Sequence, residues 1–333
     1  MSRFRVRVAV LGDGGWGTTL ALHLHRQGHR VQWWGAFPAH VEQVRRRREN
    51  AAFLPEVRLP AGLPLTADLP AALRGATVIV LAVPSLYLRS VCRLAAGAWP
   101  RGAAAVSAAK GLERGSHTRM SEIVREELGR IPLAALSGPN IAAEIARGQP
   151  ASAVIASAQA GLAARLQALF MSERLRIYTS SDVPGVELGG ALKNPIAIAA
   201  GIGDGLGFGA NAKAALMTRG IVEMARLGVR LGAQPQTFWG LSGLGDLVTT
   251  CLSGRNRWLG EQIGKGRRVD RILASTEMVF EGVETAKAAA ALARQHRVEV
   301  PIIEQVCAIV FHGRSPRAAL ATLMRRSGKS ETG

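Results

Sequence analysis

The sequence predicts an α/β protein in which a doubly wound, parallel sheet over residues 1–182 is followed by an all-helical domain over residues 183–333. Three observations lead to this prediction. Buried strands alternate with helices in the first half, a glycine-rich turn joins the first strand to the first helix, and strand patterns of comparable strength end near Asp182. A chain of 333 residues is also long enough for two domains of ordinary size.

The start of the chain has the pattern of one strand–helix–strand unit. Val6–Leu11 is a short apolar strand, Thr18–Gln27 is a helix that Gly28 ends, and Arg30–Trp34 is a second strand. Such a unit, repeated, builds a parallel sheet with helices on its faces.

The turn inside this unit carries a G-x-G-x-x-G motif, formed by Gly12, Gly14 and Gly17. Gly12 allows the tight turn, Gly14 allows a pyrophosphate to approach the backbone, and Gly17 allows the helix to pack closely on the strand. The helix N-terminus adds free amides and a partial positive charge. Because the motif follows a strand and opens a helix, it predicts a Rossmann-like dinucleotide-binding domain.

The coenzyme itself stays open between NAD and NADP. Enzymes that use NAD usually carry an acid near the end of the second strand, whereas those that use NADP more often carry an arginine. The stretch from Trp33 to Phe37 offers neither.

Further strands and helices continue the two patterns. The remaining predicted strands are Thr77–Val83, Ala103–Ala109 and Leu133–Leu136, each apolar or β-branched along most of its length. The main predicted helices of the second half are Val186–Ala200, Ala210–Leu227, Glu284–Gln295 and Ile303–Phe311. Glycine-rich segments at 201–209 and 240–245 separate them.

The composition bounds the class of protein. A net charge of +18 could indicate nucleic acid as a partner, but only six of the 42 basic residues are lysines, which favours a drift of composition toward arginine. No zinc spacing or RNA-binding motif supports a nucleic-acid role, and no donor cluster suggests a metal. Three scattered cysteines and the lack of a long apolar run predict a cytoplasmic protein without membrane insertion.

Three positions stand out as candidates for chemistry. Lys110 follows a strand at the sheet edge where ligands bind, and its alternative is an exposed surface lysine. Lys193 lies in an otherwise apolar helix, where burial would suit it to proton transfer; the alternative is a side chain that reaches the surface. Arg255 lies in a loop before a helix expected to begin near Arg257, which is typical of an anion site.

Taken together, separated strings of residues resemble glycerol-3-phosphate dehydrogenases of the bacterial, NAD(P)-dependent type from about residue 5 to 325. The strings include Gly12-Asp13-Gly14-Gly15-Trp16-Gly17-Thr18, Lys110-Gly111-Leu112-Glu113, Leu188-Gly189-Gly190-Ala191-Leu192-Lys193-Asn194, Gly243-Leu244-Gly245-Asp246-Leu247 and Arg255-Asn256-Arg257.

The resemblance implies a role for each matching position. Lys193 matches the proton-transfer lysine of the family. The implied substrate-binding residues are Lys110, Gly138, Asn140, Lys193, Asp246, Thr250, Gly254, Arg255 and Asn256. The implied cofactor-binding residues are Gly12, Gly14, Gly15, Trp16, Gly17, Phe37, Phe53, Lys110, Ala142, Arg255, Val279 and Glu281.

Some positions depart from the family pattern. Asn140 replaces a usual serine or threonine, Gly254 replaces a usual serine, and the loop from Cys251 is two residues shorter, as in eukaryotic members. Ala36 and Phe37 replace residues that are often basic or polar.

The resemblance implies reduction of dihydroxyacetone phosphate to sn-glycerol 3-phosphate for phospholipid synthesis, in a homodimer. Two alternatives stay open. One is a related dehydrogenase acting on a sugar acid or a hydroxy acid, which would also need Arg255, and the other is a non-catalytic nucleotide sensor that kept the fold.

Overall fold

The computed structural model describes residues 5–276, 278–328 and 330–331, so the outermost residues of both predicted domains lie outside the described part. The strands are β1 (Arg7–Leu11), β2 (Arg30–Trp34), β3 (Glu49–Asn50), β4 (Leu54–Arg58), β5 (Leu65–Thr66), β6 (Val78–Leu81), β7 (Ala104–Ser107), β8 (Leu133–Ser137), β9 (Ala151–Ala156) and β10 (Leu175–Ser180).

Helices alternate with these strands and then continue alone. The helices are α1 (Gly15–Arg26), α2 (Pro38–Arg47), α3 (Leu69–Leu73), α4 (Ser85–Ala96), α5 (Met120–Leu128), α6 (Ala142–Ala146), α7 (Ala160–Phe170), α8 (Val183–Gly205), α9 (Ala210–Arg230), α10 (Pro235–Phe238), α11 (Asp246–Leu252), α12 (Arg255–Gly264), α13 (Val269–Ala274), α14 (Glu281–His296), α15 (Pro301–His312) and α16 (Pro316–Met324). One π-helical turn, Leu241–Gly245, precedes α11.

Eight strands form one sheet in the order β10-β9-β8-β7-β6-β1-β2-β5, and β3 and β4 form a separate antiparallel pair. The sheet is doubly wound and mainly parallel, as the sequence predicts, and β9 alone among its described strands pairs antiparallel, with β8. The sequence interpretation missed β9 and β10. Both are short strands that alternate small, polar and apolar residues, which gives a weaker signal than a strand buried on both faces.

The sheet is doubly wound because consecutive residues of its central strands enter different cores. Val8 and Val10 of β1 pack into a core that contains residues of α1, α2 and α7. Ala9 and Leu11 of the same strand pack into a second core that contains residues of α3, α4 and α5. All four are fully buried, which explains the continuous apolar run in the sequence.

The parallel strands end at one edge of the sheet. The register pairs Leu11 with Leu81 and Leu81 with Ser107, so β1, β6 and β7 end side by side. The loops after these strands therefore open into a common space, which is where ligands bind in sheets of this kind.

From Val183 onward all regular elements of the described residues are helical, as the sequence predicts. The central element is α8, a 23-residue helix that is apolar around most of its circumference and is therefore buried. Each predicted helix is present but extends one to several residues further, because its ends carry small or polar residues that weaken the pattern.

Glycines bring α8 and α12 into backbone contact. A Cβ on Gly201 would lie 1.9 Å from the Arg257 carbonyl oxygen, and a Cβ on Gly260 would lie 2.0 Å from that of Ile198. No side chain can occupy either place, so the crossing requires glycine on both helices.

The sheet and the helices are joined by a buried carboxylate. Glu187 on α8 accepts hydrogen bonds from the backbone amide of Ser121 (2.7 Å), from its hydroxyl (2.7 Å) and from Arg119 (2.8 Å). These contacts hold the first turns of α8 against α5, and α8 also contacts β8. The helix is thereby held beside the strand ends.

We expect Gly260→Ala to lower the free energy of unfolding by about 2 kcal/mol, because the new methyl group meets backbone rather than a movable side chain. Urea denaturation measures this change. Gly161→Ala on α7 is the matched control, since its Cβ would meet nothing within 4 Å. Equal stability of the two variants would contradict the requirement for close packing.

Candidate active site

Two ammonium groups share one carboxylate at the edge where the strands end. Lys193 Nζ lies 2.8 Å from Asp246 Oδ1, and Lys110 Nζ lies 2.8 Å from Asp246 Oδ2. Lys110 also donates to the Gly138 carbonyl at 2.8 Å. The structure thus brings together four of the residues that the resemblance implies, from four separate parts of the chain.

Each of these groups is placed by a local feature of the chain. Lys110 follows β7, Gly138 follows β8, and Asp246 begins α11 directly after the π-helical turn. Gly189 and Gly190 let α8 approach both elements: a Cβ on Gly189 would lie 2.7 Å from the Ser242 carbonyl oxygen, and one on Gly190 would lie 2.6 Å from the Ser137 hydroxyl oxygen.

Lys193 is buried, with only 6% of its surface exposed, so the alternative of a lysine reaching the surface is wrong. Burial lowers the pKa of Lys193, and the charge of Lys110 lowers it further, while Asp246 raises it. The resulting pKa is about 8. An amine with such a pKa can both release and accept a proton near neutral pH.

Thr250 lies one turn after Asp246 on α11 and completes this cluster. Lys193 Nζ donates to the Thr250 hydroxyl oxygen, and that hydroxyl donates to the Asp246 carbonyl at 2.7 Å. The lysine is therefore held in one orientation by two side chains of the same helix.

Arg255 is the first residue of α12 and is exposed. Helix α12 begins there and not near Arg257, because Gly254 adopts φ +106°, which ends the preceding loop two residues earlier. No side chain caps this helix N-terminus. Within the described residues the Arg255 guanidinium has no hydrogen-bond partner, so the guanidinium and the first amides of α12 are available to an anion.

Asn256, an implied substrate-binding residue, is the second residue of α12. It is buried, its amide nitrogen donates to Asn194 Oδ1 at 3.0 Å, and its Oδ1 accepts from the Gly282 amide at 3.1 Å. Asn256 therefore ties α12 to α8 and α14, and the sequence did not reveal Asn194 and Gly282 as its partners.

The glycine-rich turn fits a dinucleotide. A Cβ on Gly12 would lie 2.6 Å from the Ala82 carbonyl oxygen and one on Gly17 would lie 2.0 Å from that of Gly12, whereas a Cβ on Gly14 would meet nothing within 4 Å. Gly14 precedes the first residue of α1 and offers no side-chain cap. The space beside Gly14 and the free amides of α1 together form a cradle for a pyrophosphate.

Other implied cofactor positions surround this turn. Gly15 lies against the Phe53 backbone and near Ala142, while the indole nitrogen of Trp16 is buried without a partner in the described residues. The side chains of Phe53 and Phe37 are 47% and 68% exposed, respectively, so both are available for contact.

Glu281 links the helical part to the loop after β6. Its carboxylate accepts from the Ser85 amide at 3.0 Å and from the Ser85 hydroxyl. Burial raises the pKa of Glu281, and hydrogen bonds from Ser85 and the charge of Arg255 oppose this rise. Val279 lies two residues earlier, on the segment that leads into α14, and is half-buried. Ser85, the first residue of α4, was missed as a site residue.

Asn140 keeps an unused acceptor at the site. Its Nδ2 donates to the Ser152 carbonyl at 3.1 Å, and its Oδ1 is buried without a partner in the described part of the chain. The departure from serine or threonine therefore leaves one acceptor oxygen near Gly138.

Two negative findings accompany the site. Within residues 5–276, 278–328 and 330–331, no helix has the length and apolar character required to cross a membrane. No cluster of three or more His, Cys, Asp or Glu side chains suited to a metal ion occurs in the same described segments.

Comparisons with known proteins cover both halves of the chain. Residues 7–163 match the model of the NAD-dependent glycerol-3-phosphate dehydrogenase N-terminus, and residues 182–321 match that of the C-terminus. Glycerol-3-phosphate dehydrogenase [NAD(P)+] of Geobacter sp. (strain M21) is 48% identical over 330 residues, 98% of each chain. The enzyme of Geobacillus kaustophilus is 46% identical, over 97% of this chain and 96% of its own length.

A solved structure extends the likeness to three dimensions. The crystal structure of glycerol-3-phosphate dehydrogenase from Coxiella burnetii superposes with a TM-score of 0.93 at 37% identity. The match covers 97% of this chain and all of the other.

We expect Asp246→Asn to lower the free energy of unfolding by about 3 kcal/mol, because two ammonium groups would lose their shared carboxylate in a buried place. Chemical denaturation measures the loss. Asp270→Asn is the control, since Asp270 pairs with Arg268 on the surface and its removal should leave stability unchanged. An unchanged free energy of unfolding in Asp246→Asn would show that the two lysines do not depend on the carboxylate.

Proposed function

The chain belongs to the NAD-dependent glycerol-3-phosphate dehydrogenase family, and from this we propose that it transfers hydride reversibly between NAD(P)H and dihydroxyacetone phosphate, giving sn-glycerol 3-phosphate. The observation that carries the proposal is the buried Lys193, held on Asp246 at the sheet edge onto which the nucleotide-binding turn also opens. A proton donor and a dinucleotide cradle on one edge are what reduction of a carbonyl group requires.

The substrate phosphate is assigned to the N-terminus of α12. Arg255 offers a guanidinium with no partner among the described residues, and the first turn of α12 offers free amides and the positive end of its dipole. Asn256, which holds α12 on α8, is assigned to the same substrate site.

Lys193 supplies the proton. A bound NAD(P)H would supply the hydride for C2 of dihydroxyacetone phosphate. The Lys193 ammonium group donates the proton to the C2 oxygen. The positive charge of Lys193 also stabilises the negative charge that develops on this oxygen. In the reverse direction the neutral amine of Lys193 removes the hydroxyl proton of glycerol 3-phosphate.

Asp246 and Lys110 act in opposite directions on the protonation of Lys193. Asp246 keeps Lys193 protonated in spite of its burial, and Lys110 opposes this by placing a second positive charge on the same carboxylate. Lys110, itself 18% exposed in its side chain, lies on the sheet side of the cluster and can face both substrate and coenzyme.

The remaining assignments follow from the family. We place the division between the two domains at residue 182, two residues after β10 ends and one residue before α8 begins. We also propose a cytoplasmic homodimer whose product enters phospholipid synthesis. The separate family models for residues 7–163 and 182–321 support the division of the domains.

The test is loss of reduced-nicotinamide absorbance with dihydroxyacetone phosphate, together with gain of that absorbance from NAD(P)+ with glycerol 3-phosphate, a hydroxy acid series and a sugar acid series as alternative substrates. We expect Lys193→Met to lower kcat by on the order of 10² or more, because the variant loses the general acid assigned to the C2 oxygen. Lys265→Met is the matched control, since Lys265 is exposed and pairs with Glu261 on the surface of α12. Retained turnover in a folded Lys193→Met protein would remove the assignment.

The change of kcat/KM with pH should have opposite signs for reduction of dihydroxyacetone phosphate and for oxidation of glycerol 3-phosphate. Because the pKa of Lys193 is about 8, kcat/KM for reduction should fall as the pH rises above about 8, where the ammonium form is lost. For oxidation kcat/KM should rise with pH up to the same value, since the neutral amine is required. Profiles measured in both directions check this, and parallel profiles would contradict Lys193 as the titrating group.

A further inference from the structure

The end of β2 in this protein lacks the side chain that usually distinguishes the two nicotinamide coenzymes. The residues that follow Trp34 are Gly35, Ala36 and Phe37, which carry no charge. In dinucleotide-binding sheets an acid at this place binds the ribose hydroxyls of NAD, and an arginine nearby accommodates the 2′-phosphate of NADP. The primary structure alone therefore gives no preference.

The structure places a carboxylate at this position from another part of the chain. A Cβ on Gly35 would lie 2.2 Å from Asp13 Oδ2 and 2.7 Å from Asp13 Cγ. The Asp13 carboxylate thus occupies the place where a side chain of residue 35 would begin. Gly35 is required here because any larger residue would collide with Asp13.

The surrounding backbone fixes this arrangement. The Gly12 amide donates to the Trp34 carbonyl at 2.9 Å, and the Trp33 indole donates to the Gly12 carbonyl at 2.9 Å. Asn50 Nδ2 donates to the Asp13 carbonyl at 2.7 Å. The glycine-rich turn and the end of β2 are therefore held together, and the carboxylate keeps its place.

The Asp13 carboxylate is only partly compensated. Its Oδ2 is buried and has no hydrogen-bond donor among the described residues, whereas 13% of the side chain is exposed. His40 Nε2 lies 3.9 Å from Oδ2 and is itself without a hydrogen-bond partner in the described residues. Burial raises the pKa of Asp13, while His40 and a hydrogen bond from the Asp13 backbone amide oppose this rise. No lysine or arginine of the described residues forms an ion pair with Asp13.

We propose that Asp13 replaces the missing acid at the end of β2, that it recognises the adenosine ribose hydroxyls, and that the protein prefers NAD(H) to NADP(H). A ribose hydroxyl can donate to the carboxylate, whereas a 2′-phosphate would bring a second negative group against it. This inference rests on the proposed function only in assuming that the glycine-rich turn binds a nicotinamide dinucleotide.

The experiment measures coenzyme binding without substrate, by isothermal titration of the intact protein with NADH and with NADPH. We expect the wild-type protein to bind NADH at least about tenfold more tightly, the size expected for a hydrogen bond to a charged group. Asp13→Asn should bring the two dissociation constants to within about threefold, by weakening NADH and strengthening NADPH binding.

Glu42→Gln is the matched control. Glu42 lies on α2 and carries a carboxylate, as Asp13 does, but it is exposed and pairs with Arg45. Its neutralisation should therefore leave the ratio of the NADH and NADPH dissociation constants unchanged. If Asp13→Asn does not fold, Asp13→Ala removes the charge without burying an unpaired amide. We expect it to reduce the difference between the NADH and NADPH dissociation constants by the same amount.

Equal binding of both coenzymes by the wild-type protein, or tighter binding of NADPH, would overturn the inference even if dihydroxyacetone phosphate is reduced. An unchanged ratio in a folded Asp13 variant would overturn it as well. Selective binding of NADH without turnover of dihydroxyacetone phosphate would instead contradict the proposed function and leave the role of Asp13 standing.

Discussion

The site depends on the carboxylate of Asp246, which is shared by two buried or half-buried ammonium groups. Without it, Lys193 and Lys110 would repel each other in a place largely withdrawn from water. With it, the lowering of the Lys193 pKa by burial is partly offset, and the pKa is about 8. At this pKa the lysine can exchange a proton near neutral pH. Stability of the cluster and reactivity of the lysine thus have the same physical origin.

The packing of α8 makes this sharing possible. Gly189 and Gly190 allow the helix to touch the π-helical turn and β8, and Gly201 allows it to touch the backbone of α12. These contacts bring Lys193 from the helical part, Lys110 from the sheet and Arg255 from α12 to one side of the molecule. None of these glycines is reactive, but they allow the close helix packing that brings the reactive side chains together.

The sequence indicated the reactive residues better than the residues that position them. Lys193 was recognisable because a charge in an apolar helix needs a partner, and Lys110 because it follows a strand at the ligand-binding edge. The hydrogen bonds of Asn256 and the contact of Ser85 with Glu281 were not recognisable, since their partners lie 62 and 196 residues away, respectively. Strands β9 and β10 were missed because an alternating pattern of small residues resembles a loop.

By itself the sequence determined the fold class, the dinucleotide-binding turn and the family resemblance, because these depend on local patterns of apolar residues, glycines and short motifs. Only the tertiary structure decided the antiparallel pairing of β9 with β8, the meeting of Lys110 and Lys193 on Asp246, and the position of Asp13 over Gly35. These features join residues that are far apart along the chain or lie on different strands. Their geometry follows from packing in three dimensions, which no local pattern encodes.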